Sequence, residues 1–401
     1  MEHLDLMKFL SIKSDSKIVL LVMDGVGDIP DKKGKTPLEL ANTTNLNELA
    51  KKSALGLTHP ISRGVTPGSG PSHLALFGYN PLGFDIGRGV LEALGIEFKL
   101  SSSDIPARAN FATIENGLIT DRRAGRIPTE KNIELCKKLS GIIKEIDGVE
   151  IIIRPGKEHR FVVIFRGNNL NGPLLDADPQ QVGLAPIEVK PVKEDGKFAA
   201  EIANKFIKKV TEVLKDELPA NTCLLRGMTK IPEIPSMTEA FKLNPAAIAT
   251  YPMYRGLARL VGMSILKTGD TVESEFETLK ENWDKFDFFY LHVKKTDSYG
   301  EDGNKDGKIH VIEETDALIP KLIDLKPDVI AITSDHSTPW SLKAHSWHPN
   351  PFLLFSENER SGYSSAFTEK ECATGALGQF YSEDALPLML ASALKLKKFG
   401  A

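Results

Sequence analysis

Cysteine is scarce in this chain of 401 residues: three in all, Cys136, Cys223 and Cys372, far apart and in no CxxC pair. That excludes a disulfide framework and fits a reducing compartment. No stretch approaches the roughly 18 consecutive apolar residues of a membrane-spanning helix. The opening MEHLDLMKFLSIKSDS has neither a basic start nor a long apolar run, so no signal peptide is expected. Excess positive charge is missing too. With a formal net charge of −4, no broad basic field draws the chain to nucleic acid or to an anionic membrane. The expected setting is the cytoplasm and the expected partner a small molecule, and any anion must be gripped locally. The oligomeric state is not legible. A GxxxxGK[ST] phosphate loop is also lacking, which weighs against a nucleotide-using kinase.

Histidine is rationed as well, yet unevenly. Of nine in the chain, three (His336, His345 and His348) fall in TSDHSTPWSLKAHSWHP, next to Asp335. This segment follows an apolar run, DVIAITS, that reads as a fully buried strand. Two other runs read the same way: KIVLLVM, ending at Asp24-Gly25, and DFFYLHV, followed by KKTD and Asp297. Helical patterns such as EETDALIPKLIDL separate them, which predicts an α/β sheet with helices on both faces. Ligands of such sheets bind beyond the carboxyl ends of the strands. A lone Asp after a strand is usually a turn former or helix cap. Three of them, one abutting a histidine, converge on one edge. Asp and His together suit a borderline divalent ion such as Zn²⁺ or Mn²⁺, and His345 comes within reach if its loop folds back. His348 is either a donor behind the site or a packing partner of Trp347 and Pro349.

GVTPGSGP followed by SHLALF predicts an irregular loop running into a helix, with Ser69 near the helix N-terminus. There, free N–H groups and the helix dipole favour a phosphate, though a plain turn has the same pattern. A serine hydroxyl becomes a strong nucleophile only when a base or metal activates it.

Between about residues 100 and 225 the pattern changes. NFATIENGLITDRRAGRI and VEIIIRPGKEHRFVVIFRG alternate as antiparallel hairpins with turns at ENG and PGKEHR, the mark of an inserted second domain. It carries Arg108 and Asn110, then Asp121, Arg122, Arg123 and Arg126, then His159 and Arg160. Charges on a hairpin face are often merely solvated. A small doubly anionic substrate, however, wants several guanidinium forks, and a lid bearing them would keep water from a transferred phosphoryl group. Later, Arg255 and Arg259 are spaced to share one helical face. The tail SALKLKKFGA reads as a surface helix.

Taken in order, DGVGD, TPGSGPSHLALFGY, DRRAGR, AAIATYPMYRGLARLVGM, KKTDSYGEDGN and SDHSTPWSLKAHS closely resemble the archaeal-type 2,3-bisphosphoglycerate-independent phosphoglycerate mutases, over about residues 17 to 395. The resemblance implies an alkaline-phosphatase-like, mostly parallel sheet flanked by helices (residues 1–95 and 226–401), with an inserted α+β substrate-binding lid (96–225). It implies two divalent ions per chain, with Mn²⁺ favoured and Mg²⁺, Co²⁺ or Zn²⁺ as alternatives. Asp24, Ser69, Asp335 and His336 would hold one ion and Asp297 and His345 the other, with Ser69 the nucleophile that carries the phosphoryl group between the 3- and 2-oxygens of glycerate. Arg108, Asn110, Asp121, Arg122, Arg126, Arg160 and Arg255 would bind substrate. Two positions depart from the family pattern. Glu301 stands where a histidine is usual four residues after the TD aspartate, and as a ligand it would favour Mn²⁺ or Mg²⁺. Gly70 stands where many members carry Asp. A hydrolase of phosphate esters or phosphonates, a kinase-like relative, and a non-catalytic scaffold are the competing expectations.

Overall fold

The apolar run before Asp24 forms β1 (Ile18–Met23), with every residue buried, as is β2 (Ala54–His59). Next in the chain come β3 (Asp104–Glu115), β4 (Leu118–Asp121), β5 (Glu145–Ile146), β6 (Val149–Pro155), β7 (Arg160–Arg166) and β8 (Thr222–Arg226). After them come β9 (Pro245–Ala249), β10 (Ser264–Leu266), β11 (Phe288–Val293), β12 (Val329–Thr333), β13 (Asn350–Phe355) and β14 (Gly378–Tyr381). The computed structural model describes all residues except Met1, Asp85, Tyr363 and Ala401. Two compact units emerge, residues 1–84 with 234–401, and residues 85–233.

The first unit is a sheet in the order β10-β9-β11-β1-β12-β13-β2-β14, with β13 running antiparallel to both its neighbours. The three strands predicted to end in carboxylates lie side by side and parallel, with Val22 opposite both His292 and Thr333. Because the register is level, Asp24, Asp297 and the Asp335-His336 pair leave the sheet at one edge. Both faces are apolar and covered. The helices Val272–Glu281 and Lys305–Ile323 pack Phe276, Leu279, Ile319 and Leu322 against Val19, Leu21, Leu291 and Ile330. The C-terminal tail departs from the surface helix expected of it. Helix ends at Ser392, and Lys395 is buried, donating to the Ser14 carbonyl at 2.7 Å and reaching Asp287 at 3.2 Å. Two oxygen partners on other segments, the Ser14 carbonyl and the Asp287 carboxylate, outweigh the local helical propensity.

The second unit is an antiparallel sheet, β4-β3-β7-β6-β5, with β8 also pairing antiparallel with β3, at its residues 108–112. Asn116 and Gly117 both take positive φ in the β3–β4 turn, the conformation that a two-residue hairpin needs. Alternation sorts the faces. Ile105, Ala107, Ala109 and Phe111 of β3 and Phe161, Val163 and Phe165 of β7 face the helices Thr129–Ile142 and Lys197–Val213. Val162 and Ile164 face the other way, onto Ala93. The units divide at 84/85 and 233/234, whereas the family resemblance implies 95/96 and 225/226. The helix Arg88–Gly95 accounts for most of the difference: Gly89 lies so close to β3 that an added Cβ would stand 2.2 Å from the Pro106 carbonyl oxygen.

One ion pair ties this second sheet to its edge. Arg166 on β7 grips the buried Asp104 with two bonds of 2.8 Å. Burial alone would raise the Asp104 carboxyl, but Arg166 and the Ser101 donors hold it below the usual carboxylate value. A depressed carboxyl contributes stability above its unfolded pKa and loses it as pH falls through the folded value. Asp104→Asn is therefore expected to cost about 1–3 kcal/mol at neutral pH and to flatten the loss of stability below about pH 4. Urea midpoints of both proteins across pH check it, and parallel acid limbs would refute it.

Candidate metal centre

Asp24, Asp335 and His336 are buried completely, and Asp297 very nearly so. Ser69 opens the helix Ser69–Leu76, after Gly68 in the extended conformation, and stays half-buried with its hydroxyl toward the same edge. His336 Nε2 is the hub: 3.1 Å from Asp335 Oδ2, 3.4 Å from Asp24 Oδ1 and 3.2 Å from Ser69 Oγ. Both Asp24 oxygens and Asp335 Oδ2 lack a well-formed hydrogen bond although buried. Such buried carboxylate oxygens are costly unless something charged meets them, as the Lys294 ammonium does for Asp24 Oδ2 at 3.1 Å. Ligands about 2.1 Å from a tetrahedral ion lie about 3.4 Å from one another, close to the spacings seen around Nε2. The donor set fits a divalent ion.

Asp297, His336 and His345 form a second group of ligand atoms. His345 donates from Nδ1 to the Pro67 carbonyl at 3.0 Å, which turns Nε2 toward Asp297 Oδ1 at 3.7 Å and Glu301 Oε1 at 3.9 Å. The same bond moors the serine loop to the histidine loop. Glu301 is half-exposed and stands at the rim, outside the tight cluster. His336 and His345 stack at 3.6 Å between centroids. His348 stands apart, bonded to Ser346 Oγ and stacked on Trp347.

At Asp24 and His336 the electrostatics favour ligand-ready forms, and at Glu301 they run the other way. Burial alone would raise the Asp24 carboxyl, yet Lys294, with His292 and His336, holds it well below the usual range. Burial lowers the His336 imidazole, keeping the ring neutral with a lone pair to offer. Burial and the charge of Asp297 raise the Glu301 carboxyl.

Several contributors escaped the sequence reading. Lys294 lies 3.1 Å from Asp24 Oδ2 and also pairs with Asp297 Oδ2, so one ammonium touches both groups. Its doubled lysine beside TD was the available signal. His73 sits 3.2 Å from Asp335 Oδ2, and His292 sits 3.3 Å from Asp24 Oδ2. Both lie within apolar runs, where a histidine reads as core.

In the inserted unit, alternation puts Arg108, Asn110, Arg160 and Arg226 on one face, because Arg108 pairs with Arg226 and Asn110 with Arg160 across the strands. Arg88 belongs to the same field and, with Arg226, was not foreseen. Burial and these neighbouring guanidinium groups push Arg108 down to about 10. Arg108 Nε and Asn110 Oδ1 are buried without a partner. Burial and the adjoining arginines also push His159 down to about 4. Asp121 caps its own turn, accepting from Arg123 and Gly125 N–H at 2.7 and 2.6 Å. Arg122 is taken up by Asp178 in a two-bond grip of 2.7 Å each. Arg126 is exposed. Arg255, in the first unit on the helix Pro252–Leu260, is half-buried with Nε unpartnered.

This chain is similar to known proteins over nearly its whole length. A family model described as 2,3-bisphosphoglycerate-independent phosphoglycerate mutase matches residues 50–221. A protein of Thermotoga neapolitana named "Probable 2,3-bisphosphoglycerate-independent phosphoglycerate mutase" is 56% identical, over 99% of this chain and 100% of its own. This chain belongs to that family. Within the 2,3-bisphosphoglycerate-independent phosphoglycerate mutases, a relative from Aquifex aeolicus is 51% identical over 99% of this chain and 100% of its own. Among solved structures, the cofactor-independent phosphoglycerate mutase of Thermoplasma acidophilum is 30% identical with a TM-score of 0.73, covering 94% of this chain and 100% of that one. A protein from Pyrococcus horikoshii is 31% identical with a TM-score of 0.83, covering 96% and 99%. No helix among the described residues is long and apolar enough to cross a membrane.

Proposed function

We propose that this chain interconverts 3-phosphoglycerate and 2-phosphoglycerate by way of a phosphoserine at Ser69. The observation that carries this is the half-buried Ser69 Oγ at a helix N-terminus, 3.2 Å from the His336 nitrogen that also faces Asp24 and Asp335. Asp24, Asp335, His336 and Ser69 would hold one divalent ion, and Asp297, His345 and Glu301 the other. Such ions, when bound, neutralise phosphoryl oxygens and make a serine hydroxyl easier to deprotonate.

Ser69 Oγ forms the new bond to phosphorus as the bond to the glycerate 3-oxygen breaks, and the serine proton ends on that oxygen. The 2-hydroxyl then takes the group back, returning its proton to Ser69. The backbone N–H groups at the start of the helix Ser69–Leu76 orient the phosphoryl oxygens. Arg108, Arg160 and Asn110, with Arg88 and Arg226, form the anion grip. Arg255, half-buried on its helix, is a further anchor. Asp121 and Arg122 act behind that grip, since their own partners occupy them, and Arg126 samples substrate from the surface. The setting is the cytoplasm.

The test is incubation with 3-phosphoglycerate and Mn²⁺, read by phosphorus NMR. A mixture of the two phosphoglycerates without free phosphate is expected. Free phosphate alone would make the chain a phosphatase. Because Glu301 adds a hard anionic donor, active protein is expected to carry Mn²⁺ or Mg²⁺ at the Asp297 site. Elemental analysis finding zinc at both sites of active enzyme would exclude that preference.

A further inference from the structure

Thr338 is fully buried and belongs to neither group of ligand atoms, yet it touches both. Its Oγ1 lies 2.6 Å from Asp297 Oδ1 and 3.0 Å from His336 Nδ1. Those two atoms are themselves 4.0 Å apart, too far for a hydrogen bond, so the hydroxyl fills the gap between them. A hydroxyl has one proton to give, and an ionised carboxylate can only accept. The proton therefore goes to Asp297, and Thr338 Oγ1 accepts from His336, which requires an N–H at Nδ1. In the neutral ring that a metal ligand must be, the lone pair of His336 is then left at Nε2, the atom that faces Asp24, Asp335 and Ser69.

The hydroxyl is held in place from every side. The Thr338 N–H donates to the Gly27 carbonyl at 3.1 Å. Its carbonyl accepts from the buried Lys308 Nζ at 2.9 Å, and the same ammonium donates to Asp28 Oδ2 at 2.7 Å. Asp28 Oδ2 also accepts from the Trp340 N–H at 3.2 Å, closing a strap around the loop. Two glycines give the side chain room. A Cβ on Gly25, at φ +64°, would stand 2.5 Å from Thr338 Oγ1, and one on Gly300 would stand 2.9 Å from Thr338 Cγ2. The loop after β1, the helix Lys295–Asp302 after β11 and the loop after β12 thus close on this one side chain.

We infer that Thr338 is a positioning residue that sets the His336 tautomer and couples the two metal groups, so that filling one organises the other. Lys308 serves it by fixing the loop that carries it. This rests on the metal binding proposed above but not on the identity of the substrate.

Two measurements test it, neither of them activity. In wild-type protein loaded with diamagnetic Mg²⁺, nitrogen NMR of the histidines, with His336 assigned from the spectrum of His336→Gln, should show Nδ1 protonated and no proton on Nε2. An Nε2–H tautomer overturns the proposal whatever any variant does. Mn²⁺ titrations should show Thr338→Val binding about 10- to 100-fold more weakly at both sites, with Thr338→Ser close to wild type. If Thr338→Val binds both ions with wild-type affinity, or if Thr338→Ser is as weak as the valine, the hydroxyl is not the coupling element and the proposal fails. A protein that passes both tests but leaves 3-phosphoglycerate untouched keeps this role for Thr338 and loses the mutase reading. One that turns over substrate with an Nε2–H tautomer does the reverse.

Discussion

Ser69→Ala is expected to abolish phosphoglycerate interconversion, with turnover falling by at least about 10³-fold, while fold and metal content stay near wild type. The expectation follows from what the side chain touches. Among the described residues Ser69 Oγ bonds toward His336 Nε2, and its carbonyl, which alanine keeps, accepts from His73 Nδ1 at 2.9 Å. Its replacement removes the nucleophile and a single ligand of one group, leaving Asp24, Asp335 and His336 in place. Losing a nucleophile removes the covalent route altogether, and what survives comes from substrate binding alone. Phosphorus NMR with 3-phosphoglycerate, alongside metal analysis and a thermal melt, checks all three parts. Wild-type rates in the alanine protein would rule out the phosphoserine. Loss of metal together with loss of fold would instead make Ser69 a structural residue.

Arg108→Met should separate function from stability in opposite directions. Arg108 stands on β3 amid Arg88, Arg160 and Arg226, and burial together with those like charges lowers its pKa to about 10. Gathering cations there is unfavourable until an anion arrives, which is how binding sites commonly trade stability for function. Methionine keeps much of the stem and removes the repulsion, so the melting temperature should hold or rise. A charge-assisted hydrogen bond is worth about 1.5–3 kcal/mol, so KM for phosphoglycerate should rise about 10- to 100-fold, with slower turnover. A large fall in melting temperature with unchanged KM would assign Arg108 to the sheet rather than to the substrate.

How much of this was readable beforehand depends on the kind of contact. The runs KIVLLVM, DFFYLHV and DVIAITS announced buried parallel strands because a strand covered on both faces must be apolar throughout. The carboxylates that follow were visible because an acidic residue just past such a run is conspicuous. The hairpins of the inserted unit were visible through period-two alternation and an Asn-Gly turn. These signals are local, written within about ten residues of one another, and they place Asp24, Asp297, Asp335 and His336 on one edge.

What only the tertiary structure decided is which polar side chains share a buried space. His73 and His292 look like core residues in sequence, and only the fold sets them beside Asp335 and Asp24. Arg88 joins Arg108 because a glycine lets its helix lie flat on β3. Lys308 looks like any exposed helical lysine until Asp28, far away in the chain, is found against it. Thr338 owes its place to residues 25, 297, 300 and 308 together. A strand's burial is set by its own composition. The worth of a buried hydroxyl or ammonium is set by the partner desolvated with it, and chain spacing does not record that partner.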